Sequence, residues 1–127
     1  MATIRPEQQN AFQDDADRMF LEKLTGYLRR TEPSAQAPLT DETLARMVAN
    51  GIARARKHGL TREDSIAGFV ALMFQIAPNF DDHPAFRAVL SDESIQPDDR
   101  VAAIPKRTRQ SDYIEAARNA DMMAFFN

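Results

Sequence analysis

The side chains that most readily do chemistry are scarce in this sequence. It has two histidines, His58 and His83, and no cysteine, which excludes a disulfide, a zinc–thiolate site and a thiol nucleophile. His83 follows Asp81 and Asp82, and a carboxylate–histidine cluster can bind a metal. Such a site needs three or four convergent ligands, and no second His/Asp/Glu motif at ligand spacing accompanies this one. A polar loop capping a helix that begins at Pro84 is the simpler account of the stretch. His58 ends a helical run, where a partly positive imidazole suits the negative end of the helix dipole.

The acidic pairs Asp14–Asp15, Asp92–Glu93 and Asp98–Asp99 do not make acid/base dyads. Neighbours on a helix point about 100° apart, and nothing around these pairs predicts the burial that would raise a carboxylate pKa. The sequence has no glycine-rich phosphate loop, no serine nucleophile elbow and no His-Glu-x-x-His helix. The expectation is a non-enzymatic protein with no catalytic residue, no metal ligand and no cofactor.

The elements that would position any site are helical. A chain of 127 residues with 43% hydrophobic content suits one cored domain. Only four glycines are present, few for a turn-rich β fold, while good helix formers are plentiful. The net charge of -3 argues against a general nucleic-acid binder. The first twenty residues are too polar for a secretory signal, and no apolar run approaches the roughly 20 residues that cross a bilayer. The chain therefore reads as cytoplasmic, without a membrane partner.

Periodicity and punctuation predict a compact all-α bundle of four or five main helices with short capping helices. Pro6 opens a helix to about Arg30, with Phe12, Ala16, Phe20, Leu24 and Tyr27 on one side and an Asp14–Arg18 pair on the other. Thr40 caps a second helix with the apolar stripe Leu44, Met47, Val48, Gly51, Ile52 and Ala55, stopped at Gly59. Thr61 caps a third, the most apolar, facing inward through Ile66, Phe69, Val70, Met73 and Ala77 and ended by Pro78. A short helix from Pro84 carries Phe86, Val89 and Leu90. Pro97 starts another turn or two, closed by Pro105. Residues 1–104 form the predicted bundle domain, and residues 105–127 are a basic connector and a final helix, capped by Ser111, that packs on the domain or on a partner.

Two surfaces point to protein recognition. Between Thr43 and Arg62 lie five basic residues and no acid, whereas from Glu63 to Asp99 eight acids face one base. Arg46, Asn50, Arg54 and Lys57 fall within about 80° on a helical wheel, opposite the apolar stripe. This is either a docking stripe for an acidic partner or a solvated face in contact with the chain's own acidic loops. Aromatics are not interleaved with the stripe, which disfavours single-stranded nucleic acid. At the other end Met122, Met123, Phe125 and Phe126 make the final turn apolar nearly all round, so it either wedges into its own domain or anchors in a partner's groove. The candidate partner-binding residues are thus Met122, Met123, Phe125, Phe126, Arg46, Arg54 and Lys57.

The run from Gly51 to Asp92 resembles a family of small bacterial helical proteins encoded beside type VI secretion spike proteins and polymorphic toxins. The resemblance rests on Gly51, Ile52, Arg54, Ala55, Gly59, Glu63, Asp64, Phe69, Leu72, Met73, Phe80, Asp81, Pro84, Leu90 and Asp92, with Phe20 and Tyr27–Arg30 upstream. It covers about residues 5–104 and transfers no catalytic residue. Lys57-His58 replaces the family's usual aromatic before the glycine, and the basic connector and final helix look like an extension. The resemblance implies an accessory role, an adaptor or chaperone that holds a secreted effector or mounts it on the spike. The alternatives are an immunity protein that blocks a cognate toxin and a nucleic-acid-binding regulator using the basic stripe.

Overall fold

The computed structural model describes residues 6–36 and 38–126, with side chains described from Asp14 onward. The chain is all-α, with six α-helices and no strand among the described residues. They are α1 (Pro6–Thr31), α2 (Asp41–Lys57), α3 (Glu63–Gln75), α4 (Pro84–Leu90), α5 (Arg100–Arg107) and α6 (Gln110–Arg118). Single 3₁₀ turns at Pro33–Ala35, Phe80–Asp82, Pro97–Asp99 and Met122–Phe125 join or finish them.

The pair α2–α3 is the centre of the bundle, and α1 packs on both. Thr40 caps α2 by accepting from the Thr43 N–H, and all six residues of the predicted stripe are buried. The helices approach closely because Gly51 has no Cβ, which would lie 3.2 Å from Val70 and from the Met73 sulfur. Gly59 turns the chain out of α2 at φ +84°, a left-handed conformation that an L side chain resists. Phe69, Phe80 and Phe86 form a fully buried aromatic chain that ties α3 to the loop and to α4.

Several expectations need correction. On α1 the buried residues are Phe20, Leu24 and Leu28, whereas Ala16 and Tyr27 are exposed. The core faces this helix through an i, i+4, i+8 row, which rotates Tyr27 outward. Phe12 lies outside the described side chains. Arg18 pairs with Asp15 at 2.7 Å rather than with Asp14. Thr61 does not cap α3: Asp98, from the Pro97–Asp99 turn, reaches across to accept from the Thr61 and Arg62 N–H groups and the Ser65 hydroxyl. A remote carboxylate thus satisfies the free N–H groups before α3.

Pro105 does not close α5, which runs on to Arg107 and is held down by the fully buried Ile104. The boundary expected at residue 104 therefore falls inside a helix, and Ala116 and Phe125 belong to the same core cluster as α2 and α3. The final helix is not capped by Ser111. Its N-cap is Arg109, whose N–H donates to Asp112, and it ends at Arg118. Asn79 then turns the chain: its side-chain oxygen accepts from the Asp121 N–H at 2.7 Å and its amide donates to the Asn119 carbonyl.

Candidate functional site

The break after α6 lays the last turn against α2. Phe125 is 2% exposed and stacks on Phe74 with ring centroids 4.8 Å apart, and Asn50 donates its amide to the Phe125 carbonyl at 2.8 Å. Phe126 is half-buried beneath the Arg46 guanidinium, 5.2 Å from its ring centroid, a cation–π contact. Of the four apolar residues predicted to meet a partner, Phe125 is a core residue and Phe126 is partly covered. Only Met122 and Met123 face solvent, at 60% and 62% exposure. Met122 borders an apolar groove of about 320 Å³ whose walls include Leu39, Met47, Met73, Phe74 and Ile76.

On the other side of this turn, α2 and the Phe80–Asp82 turn enclose a polar cleft, also about 320 Å³. Its floor is Asp81, 5% exposed. Arg54 donates Nε to both Asp81 oxygens, at 2.9 and 3.0 Å, and places Nη2 2.8 Å from Oδ1. His58 Nε2 lies 2.7 Å from Oδ2. Burial alone would raise the Asp81 pKa, but hydrogen bonds from His58 and Arg54 outweigh it and hold the carboxyl below its ordinary range. Arg54 is shifted upward: burial opposes its charge, and the bonds to Asp81 more than offset that.

The basic stripe is thereby divided. Arg54 is bound to the chain's own acidic loop, Arg46 covers Phe126, and Lys57 makes no ion pair among the described residues. The contact between this helix and its own acidic loop is therefore present for Arg54. His58 stands at the C-terminus of α2, as its spacing predicts, but its partner is the Asp81 carboxylate.

His83 does acquire neighbours that its sequence context did not announce. Asp112 and Glu115, one turn apart on α6, come close enough for the three side chains to offer ligand atoms within 4.8 Å of one another. The local hydrogen bonding opposes a metal. His83 Nδ1 accepts from the Ala85 N–H at 3.2 Å, which caps α4 and places the ring proton on Nε2, the nitrogen facing Glu115 at 3.5 Å. Metal binding at Nε2 would require the opposite tautomer and would break that cap. Asp112 already accepts from the Arg109 N–H at 2.8 Å. His83 and Asp112 thus serve as helix caps, and Glu115 faces the His83 ring.

No helix among the described residues is long and apolar enough to cross a membrane. No protein-family model, characterised protein or solved structure matches this chain.

Proposed function

We propose that this protein is a non-enzymatic adaptor or chaperone that binds a protein partner through the face bearing Met122 and Met123. The observation that carries the reading is the pair of solvent-facing methionines on a firmly anchored turn, with an apolar groove bordered by Met122. Buried Phe125 and the Asn50 bond fix the turn, so the methionines are presented without an ordering cost to the chain end. Methionine adapts its shape to irregular apolar surfaces and is common where binding surfaces must conform. Arg46, exposed above Phe126, adds a cation to the rim of this face. The fitting partner segment is apolar, with an acidic residue at its edge.

The resemblance to proteins encoded beside type VI secretion spikes supports a secreted effector, toxin or spike component as that partner, bound in the cytoplasm before export. The immunity-protein alternative needs a free acidic surface. Asp81 and Asp98 are engaged within the domain, while Glu63, Asp82, Glu93 and Asp99 are exposed, so rescue of toxin-expressing cells by the chain alone is what would favour that alternative. The test is co-expression of the chain with type VI secretion effector and spike proteins of its source cells, followed by size-exclusion chromatography. A stable complex that the double change Met122→Ser/Met123→Ser disrupts supports the reading, and equal complex formation by the variant refutes it.

A further inference from the structure

The polar cleft beside the docking turn has the chemistry of a binding site in its own right. Its volume of about 320 Å³ falls at the small end of ligand cavities, which run roughly 300–1,000 Å³. Three cations border it, Arg54, Lys57 and Arg87, against two carboxylates, Asp81 and Asp82. In a chain of net charge -3 this is a local reversal of sign.

The donors are unequally engaged. Asp81 is saturated by Arg54 and His58, so it is a fixed floor with no capacity for a cationic ligand. Arg54 directs Nε and Nη2 to that floor, Nη2 also lies 3.5 Å from Asp82 Oδ1, and the Nη1 donors have no partner among the described residues. Lys57 makes no ion pair there either. Arg87 approaches Asp82 only at 3.7 Å, beyond hydrogen-bond range, and both are exposed. A pair of that kind contributes little and rearranges readily.

We propose that this cleft binds a carboxylate group, held by Lys57 and Arg87 at the mouth and by the outer edge of the Arg54 guanidinium. One positive charge is in surplus among the lining residues, and Asp121 acts on Arg54 from outside that lining, so the cleft suits at most a monoanion. A phosphate dianion would face Asp82 without enough compensating cations. The guanidinium edge presents parallel N–H donors suited to the two oxygens of a carboxylate. Asp81 acts as a positioning residue, since it fixes the plane of Arg54 and leaves one edge toward the cleft.

The inference stands apart from the adaptor reading, because a small carboxylate tests it without any protein partner. The full chain, isotope-labelled, is titrated with acetate, glutarate and capped glutamate while NMR follows the His58 ring and Arg54 guanidinium signals. Inorganic phosphate is run in parallel, with chloride balancing ionic strength throughout. The expected result is saturable shifts with half-saturation near about 1 mM for at least one carboxylate, lost at least tenfold in Lys57→Gln/Arg87→Gln at unchanged melting temperature. Tighter binding of capped glutamate than of glutarate assigns the site to a protein side chain, and the reverse order assigns it to a free acid. Shifts that never saturate, saturation that survives the double change, or phosphate binding tighter than every carboxylate would each overturn the proposal.

Discussion

Truncating Phe125 to alanine separates a docked chain end from a free one. The ring is 2% exposed, stacks on Phe74 and is anchored by Asn50 through its own carbonyl. Phe→Ala in a core costs about 3–5 kcal/mol, from lost transfer energy and the residual cavity. The short 3₁₀ turn that carries Phe125 can relax into part of that cavity, so the lower bound applies here, about 3 kcal/mol. For a chain of this length each kcal/mol moves the melting temperature by about 3–5 °C, so Phe125→Ala should melt about 10 °C lower. Thermal and urea unfolding followed by circular dichroism measure this, with an unchanged m-value confirming that the same unit unfolds. Met122→Ser and Met123→Ser, at exposed positions on the same turn, should each stay within about 0.5 kcal/mol of the parent. A Phe125→Ala melting temperature within about 2 °C of the parent would refute the docking of the terminal turn, and with it the argument that only the methionines are presented.

Three further perturbations bear on the framework. Asp81→Ala leaves Arg54, 23% exposed, and His58 without their buried acceptor and should cost about 3 kcal/mol in urea unfolding, the lower end for a broken buried pair because Arg54 retains some water. Gly59→Ala forces a Cβ into φ +84° and should destabilise by about 1–2 kcal/mol by the same assay. Asp98 is held below the ordinary carboxylate value of 3.8 by bonds from Ser65, Thr61 and the Arg62 and Thr61 N–H groups. A depressed folded pKa gives stability that is present above the unfolded value and lost as pH falls through the folded one. Asp98→Asn should therefore weaken the protein near neutrality and flatten its loss of stability below pH about 4, measured by melting at a series of pH values.

The parts of the fold legible in the sequence are those set by local spacing. Helix α2 shows this best: Thr40 before it, Gly59 after it and a 3.6-residue stripe between them are all realised, because each depends on neighbours within two turns. The misread parts depend on remote partners. The cap before α3 comes from Asp98, and the break after α6 is made by Asn79, some forty residues away in the chain. That break also decides burial along the last residues, where Ala116 and Ala124 are buried and Ala117 and Ala120 are exposed.

The polar cleft was only half legible. Arg54 and His58 are four residues apart and so share a face of α2, and the Phe-Asp loop supplies a carboxylate. Nothing local says which loop folds back onto that face, so contact with the chain's own acidic loops stood only as one of two readings of the stripe, and the fold realises it for Arg54 through Asp81. The approach of Asp112 and Glu115 to His83 is hidden for the same reason, since it requires α6 to pack beside the start of α4.

The most direct test of the adaptor claim is paired affinity capture from the source cells, using the tagged parent and its Met122→Ser/Met123→Ser variant under identical conditions. The account predicts that the parent retains a secreted effector or spike component at near-stoichiometric level and that the equally stable variant loses it. Retention of the same protein by both, or of no secretion component by the parent, would contradict it.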